Sequence, residues 1–164
     1  QNKWTTPIFK DEIANDLMIE ANSKEFLNYL SKLTCISDLL PDSNYSGAGY
    51  HQSTNGGFLN VHVDFNKLNI NELMMDRRLN LIVYFNKEWL PENGGYLELW
   101  DMEKKLKIEN IAPFFNRCVI FETNEISFHG HPKPLKLNLN GIKNISKDTR
   151  YLKSNFLSFL INIK

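Results

Sequence analysis

Hydrophobic and polar residues follow two different periods along the chain. Before Tyr50, apolar residues recur every three or four positions, as they do on one face of a helix: Leu17 and Ala21, then Phe26, Leu30 and Leu33. This spacing predicts helices in the N-terminal region, the second of which begins at Asn22. After Tyr50 the pattern changes to short runs rich in β-branched and aromatic residues, at 58–65, 79–85, 96–100, 118–122 and 151–161.

Many short strands without helices between them predict a mainly β protein of the sandwich, jelly-roll or barrel type. A length of 164 residues suits a single domain with its own hydrophobic core. We therefore expect one domain over 1–164, in which residues 1–45 form a helical support and residues 46–164 form the β core.

Charge and composition exclude several classes of partner. Nineteen basic residues match nineteen acidic ones, so no overall field attracts nucleic acid or an anionic membrane. No apolar run approaches the roughly 20 residues that cross a bilayer, and residues 1–10 do not have the pattern of a signal peptide. Cys35 and Cys118 stand beside apolar residues and are expected to be buried free thiols, which favours a cytoplasmic location.

The run 58–65 carries the first candidate for chemistry. Alternation along a strand places Leu59, Val61, Val63 and Phe65 on one face, and Asn60, His62 and Asp64 on the other. An imidazole and a carboxylate two positions apart then point the same way. Such a pair can occupy adjacent positions on one metal ion, and Fe(II) accepts both kinds of ligand.

A third ligand and a counter-charge stand later in the chain. His129 follows the strand-like run at 118–122, and Arg150 opens the last run. Two histidines and one carboxylate on one side of iron leave positions for an oxo-acid and dioxygen, and a guanidinium can hold the distal carboxylate of that oxo-acid. Each signal alone is also typical of ordinary surface residues. Their order in a β-rich chain favours the metal site.

Four segments in this order resemble the prolyl 4-hydroxylase-like branch of the 2-oxoglutarate/Fe(II) dioxygenases, in particular the hypoxia-sensing prolyl hydroxylases and their bacterial relatives. The segments cover about two-thirds of the chain and are GGFLNVHVDFN (56–66), RRLNLIVYFNKEWLPENGGYLELWD (77–101), IAPFFNRCVIFETNEISFHGHPKPL (111–135) and DTRYLKSNFLSF (148–159). The resemblance implies a double-stranded β-helix, which is a jelly roll, with the N-terminal helices packed on one sheet.

The resemblance also implies roles for individual residues. The iron ligands would be His62, Asp64 and His129. Arg150 would hold the 2-oxoglutarate carboxylate, although the long interval after His129 leaves Lys153 as the alternative. Three further residues would contact the cosubstrate or line its pocket: Tyr84, Asn80 and Tyr50.

The expected reaction is hydroxylation of a C–H bond with dioxygen, iron(II) and 2-oxoglutarate, with succinate as coproduct and ascorbate as a candidate reductant. Because Asp64 is present, hydroxylation is favoured over the halogenation of family members that lack this carboxylate. The resemblance suggests a prolyl residue of a peptide or protein, or free proline, as substrate. Two other interpretations stay open: a non-catalytic jelly-roll module with a vestigial metal site, and a cupin-type dioxygenase that does not use 2-oxoglutarate.

Four more charged or titratable residues are expected to have ordinary roles. Arg77 and Arg78 could recruit substrate at the mouth of the pocket, but a solvated strand end is the favoured interpretation. His51 and His131 are expected at the surface or behind the ligands, since only one further histidine is needed to complete the metal site.

Overall fold

The computed structural model describes residues 3–6, 12–42, 45, 48–70, 73–137 and 156–163. Its helices are α1 (Glu12–Ala21), α2 (Lys24–Thr34) and a short 3-10 helix (Pro91–Asn93). Its strands are β1 (Lys3–Thr6), β2 (Gly49–Ser53), β3 (Leu59–His62), β4 (Lys67–Ile70), β5 (Leu73–Asp76), β6 (Leu79–Tyr84), β7 (Leu97–Trp100), β8 (Lys107–Ile111), β9 (Cys118–Glu122), β10 (His129–His131) and β11 (Phe156–Ile163).

The strands form two principal sheets and a separate hairpin. The five-stranded sheet has the order β1-β2-β11-β6-β9, and the four-stranded sheet has the order β3-β10-β7-β8. Among the described strands, β4 and β5 pair with each other alone. Every strand pair in the described part of the chain is antiparallel. The predicted mainly β architecture is therefore confirmed.

Strand β6 shows how the layers are arranged. Leu79 and Leu81 belong to a buried cluster with residues of both helices, namely Met18, Ala21, Leu27 and Leu30. The alternate residues of β6, which are Asn80, Ile82 and Tyr84, line a cavity on the other side of the strand. The helices thus cover one face of the five-stranded sheet, as alternation along a strand predicts. Neither helix in the described ranges has the length and apolar character needed to cross a membrane.

The N-terminal region differs from the prediction in two details. Helix α2 is capped by Ser23, whose hydroxyl accepts a hydrogen bond from the Phe26 N–H at 3.1 Å, rather than by Asn22. The amide of Asn22 instead accepts a hydrogen bond from the Asp42 N–H at 2.7 Å and so holds the segment that follows the helix. In addition, residues 3–6 form strand β1 along β2, in a region that was expected to be helical.

Both cysteines are exposed free thiols, so the prediction that they are buried was wrong. Cys35 is the residue after α2 and has the left-handed conformation that often ends a helix, with φ 58°. The apolar neighbours of the two cysteines in the sequence do not determine their burial, because the helix end and the strand edge turn both thiols outward.

Strand β3 contains an irregularity that brings two side chains to one side. Its partner β10 pairs His129 with His62 but His131 with Leu59, so β3 has one residue more than β10 over this interval. This bulge turns Leu59 and His62 to the same cavity, whereas strict alternation predicted opposite faces. The strand also ends at His62, so Asp64 lies beyond it and not within the predicted strand 58–65.

Gly130 permits the close approach of β10 to this bulge. A Cβ atom at this position would lie 2.8 Å from the carbonyl oxygen of Leu59 and 2.9 Å from that of Asn60. Both neighbours are backbone atoms, which cannot move aside as a flexible side chain would.

We therefore expect the Gly130→Ala variant to lose about 1–3 kcal/mol of unfolding free energy, as is typical of overpacking in a filled interior. Urea denaturation of the two proteins, followed by circular dichroism, measures this difference. A change below about 0.5 kcal/mol would show that β3 can move away from β10 at little cost.

Candidate metal centre

Three predicted ligands meet at the end of the four-stranded sheet. The Nε2 atom of His62 lies 3.3 Å from Oδ1 of Asp64, and the Nε2 atom of His129 lies 3.5 Å from Oδ2 of the same carboxylate. One ligand atom from each residue lies within 4.8 Å of the others. The pairing of β3 with β10 produces this meeting, because it sets His62 directly opposite His129.

Backbone carbonyls set the orientation of both imidazole rings. Nδ1 of His62 lies 2.8 Å from the Asn60 carbonyl oxygen, and Nδ1 of His129 lies 2.9 Å from that of Ser127. A carbonyl oxygen can only accept, so both Nδ1 atoms carry the proton. In the neutral rings the lone pairs are therefore on Nε2, on the side of Asp64. Metal-binding histidines are commonly held in this way through their other nitrogen.

The donor set fits a divalent metal ion. With neutral imidazoles, two Nε2 lone pairs face two carboxylate oxygens, and none of these four atoms offers a proton. A cation beside the two Nε2 atoms and the carboxylate would relieve this repulsion between lone pairs. Two imidazoles and one carboxylate match the ligand set of non-haem Fe(II) oxygenases, which leaves coordination positions open.

Arg77 and Asn80 donate hydrogen bonds to Asp64, whose side chain is only 20% exposed. Burial on its own would raise the pKa of Asp64, but its polar neighbours, which include the charge of Arg77 and the amide of Asn80, hold that pKa well below its usual value. Two of these groups donate to the same oxygen: Arg77 Nη2 lies 2.9 Å and Asn80 Nδ2 lies 2.7 Å from Oδ2. The carboxylate is therefore ionised and ready to bind a cation.

Arg77 is the clearest difference from the prediction, which favoured a solvated strand end. Its side chain is 2% exposed, and its guanidinium lies over the ring of Phe65 at 4.7 Å. Burial lowers the pKa of Arg77 while the charge of Asp64 raises it. Arginine starts so far above neutrality that it stays charged. The neighbouring Arg78 is the exposed one of the pair, with its side chain 41% exposed and 3.8 Å from Glu122.

The three candidate ligands line a cavity between the two principal sheets, with about 700 Å³ of space including its mouth. The cavity walls come from both sheets and include all four histidines of the chain. The lining residues are His51, Ser53, Leu59, His62, Asp64, Asn80, Ile82, Tyr84, Gly95, Leu97, His129, Gly130 and His131.

The predicted cosubstrate residues divide into three groups. Asn80 and Tyr84 line the cavity, and burial raises the pKa of Tyr84, so its hydroxyl keeps its proton and can donate. Tyr50 is not among the cavity residues. It packs on the helix side of its sheet, with its ring centre 6.1 Å from that of Phe85. Arg150 and the alternative Lys153 lie outside the described residues.

His51 and His131 are cavity residues that the sequence analysis did not place there. His131 is 8% exposed and follows His129 by two positions on β10, so both project to one face of that strand. This spacing was a signal that could have identified it. His51 and Ser53 are likewise two positions apart on β2, so their side chains project to the same face of that strand.

Comparisons with known proteins agree with this geometry. The model of the 2OG-Fe(II) oxygenase superfamily matches residues 48–142, which contain all three candidate ligands. The chain belongs to this superfamily. The resemblance to its prolyl hydroxylases is confirmed, and iron(II) and 2-oxoglutarate are the cofactors of the superfamily to which the chain belongs.

Individual relatives are prolyl hydroxylases. The chain is 30% identical over 110 residues to the prolyl 3-hydroxylase OGFOD1 of Mus musculus. The matched region covers 65% of this chain but only 18% of that protein. The chain thus spans about a fifth of the length of this curated relative.

Two solved structures show the same fold at low identity. A Pseudomonas putida prolyl-4-hydroxylase matches with a TM-score of 0.60 and 13% identity, over 99% of this chain and 67% of that one. A Trichoplax adhaerens prolyl hydroxylase in complex with a hypoxia inducible factor peptide matches with a TM-score of 0.55 and 17% identity, over 99% and 63%.

The two histidines of β10 allow a matched test of the ligand set. We expect His129→Ala to weaken Ni(II) binding by more than about 100-fold, because even the loss of a residue behind a ligand costs about 10–100-fold. His131→Ala should weaken Ni(II) binding by no more than that 10–100-fold range, because its imidazole lines the cavity but is not one of the three candidate ligands. Isothermal titration of both variants with Ni(II) decides between them. Equal losses, or a larger loss in His131→Ala, would show that the ligand set is wrong.

Proposed function

We propose that the chain is an Fe(II)- and 2-oxoglutarate-dependent dioxygenase that hydroxylates an unactivated C–H bond. The observation that carries this proposal is the meeting of His62, Asp64 and His129, with both Nε2 atoms beside the carboxylate, within a chain of the superfamily. The same three residues are proposed as its iron ligands.

The protein groups have distinct roles in this reaction. Bound iron and 2-oxoglutarate supply activation of dioxygen, with succinate and carbon dioxide as coproducts. His62, Asp64 and His129 would hold the metal, and a set of two imidazoles and one carboxylate would leave coordination positions for the reactants. The buried Tyr84 hydroxyl is a donor to the oxo-acid, and the cavity walls limit access of water to the reacting atoms.

We further propose that the two principal sheets form a double-stranded β-helix with residues 1–45 as its helical support and 46–164 as its jelly-roll core, in one domain. The cavity between the sheets supports this arrangement, as do structural matches that extend over nearly the whole chain. A cytoplasmic location stays a prediction, for which two free thiols are the support.

The proposed substrate is a prolyl residue of a peptide or protein, with free proline as the alternative. The support is the prolyl 3-hydroxylase from mouse and the peptide complex of the Trichoplax enzyme, because both relatives are prolyl hydroxylases.

Production of succinate tests the proposed activity. Purified protein with Fe(II), ascorbate, oxygen and 2-oxoglutarate should release succinate, and proline-containing peptides should increase the rate and gain the mass of one oxygen. The Asp64→Ala variant is expected to lose at least about 100-fold of the rate, because it removes a ligand. Metal binding without any succinate would instead support a non-catalytic module. Oxygen consumption that does not depend on 2-oxoglutarate would support a cupin-type enzyme.

Two variants test which cation holds the cosubstrate. Arg150→Ala should weaken binding of 2-oxoglutarate to the Mn(II)-loaded protein by about tenfold or more, since hydrogen bonds to charged groups contribute about 1.5–3 kcal/mol. Lys153→Ala should leave that affinity nearly unchanged, and neither variant should alter Mn(II) affinity. Titration calorimetry measures both constants. The opposite ranking would assign the role to Lys153, and no effect in either variant would place the cation elsewhere.

A further inference from the structure

The two oxygens of Asp64 are held differently. Arg77 and Asn80 both donate to Oδ2, at 2.9 and 2.7 Å, and no hydrogen bond from either residue reaches Oδ1. Oδ1 lies 3.3 Å from the Nε2 atom of His62, and Oδ2 lies 3.5 Å from that of His129. Both oxygens therefore stand beside candidate ligands, but the two lone pairs of Oδ2 already accept from Arg77 and Asn80, whereas those of Oδ1 accept from neither residue.

The donors to Oδ2 are themselves fixed in place. Arg77 also donates to the side-chain oxygen of Asn80, its guanidinium lies against the Phe65 ring, and its backbone N–H donates to the Asn66 carbonyl at 2.8 Å. Asn80 is 1% exposed on the interior strand β6, which lies between β11 and β9. Neither donor can follow a rotation of the carboxylate without losing these contacts.

We propose that Arg77 and Asn80 are positioning residues that restrict Asp64 to one-oxygen coordination: they hold Oδ2 and leave Oδ1 alone to the metal. This inference rests on the metal centre proposed above. It gives Arg77 a role that acts through Asp64 and requires no contact with the metal.

The restriction matters because carboxylates bind metal ions through one oxygen or through both. On a six-coordinate ion, two imidazoles and a one-oxygen carboxylate leave about three positions open, whereas a two-oxygen carboxylate leaves about two. A chelating oxo-acid and dioxygen together require three. Arg77 and Asn80 would thereby keep a coordination position free for the reactants.

Metal affinity alone is a poor readout of this role, because two effects oppose each other. Loss of Arg77 removes a cation near the metal, which favours metal binding, but it also removes the fixed orientation of the ligand, which disfavours it. The number of water molecules on the bound ion responds only to the coordination of the carboxylate and the other ligands.

The experiment compares Mn(II)-loaded wild-type, Arg77→Met and Arg78→Met proteins by water-proton relaxation. We expect about three inner-sphere waters in the wild type and in Arg78→Met, and about two in Arg77→Met. The affinity of the Mn(II)-loaded Arg77→Met protein for 2-oxoglutarate should fall at least about tenfold. Arg78→Met is the matched control, because it removes the adjacent, exposed arginine.

Asn80→Val provides a second test should Arg77→Met fail to fold. It removes the hydrogen bond from Asn80 to Oδ2 and the one that Arg77 donates to Asn80, and it introduces a β-branched residue that suits a strand. It should change the water count and the 2-oxoglutarate affinity in the same direction. Unchanged water counts in the folded variants would overturn the inference and leave the metal centre intact. A wild-type protein that binds no Mn(II) would overturn the proposed metal centre and this inference together.

Discussion

The charge of Asp64 is the constraint on which the arrangement of the site depends. A carboxylate that is mostly withdrawn from water is stable only if donors or cations surround it. Its partners come from both principal sheets. The four-stranded sheet provides His62 and His129. Asn80 lies on β6 of the five-stranded sheet, and Arg77 lies just before that strand. One ionised group thus connects the two layers at the point where the cavity opens, so the chemistry and the packing of the layers depend on the same contacts.

Much of this architecture was predictable from local patterns. Asn80 and Tyr84, which alternation along β6 places on one strand face, both line the cavity, while Leu79 and Leu81 pack on the helix side. Alternation holds here because an interior strand with a packed layer on each face has no freedom to twist its side chains elsewhere. The positions of the candidate ligands followed from a spacing of two residues within one segment together with the order of the family motifs.

Features that depend on a second, distant segment were not predictable in this way. The bulge in β3 exists because Gly130 on β10 lets the two backbones approach, and nothing between Leu59 and His62 signals it. An arginine just before a strand is usually exposed, but Arg77 contacts Asp64, which lies thirteen residues earlier, on the other side of the β4–β5 hairpin. Strand β1 forms only because β2 offers it an edge. Each error arises where tertiary contacts override a local preference.

The hairpin of β4 and β5 has a consequence for how such a protein can diversify. Its stem is closed by the Arg77–Asn66 backbone hydrogen bond and by the Lys67–Asp76 ion pair, and the Arg77–Asp64 contact lies just outside that closure. Doubling the length of a closed loop adds only about 0.6 kcal/mol of entropic cost. Insertions between β4 and β5 can therefore accumulate without shifting Asp64, so that lineages can lengthen this segment while inheriting the candidate metal centre unaltered.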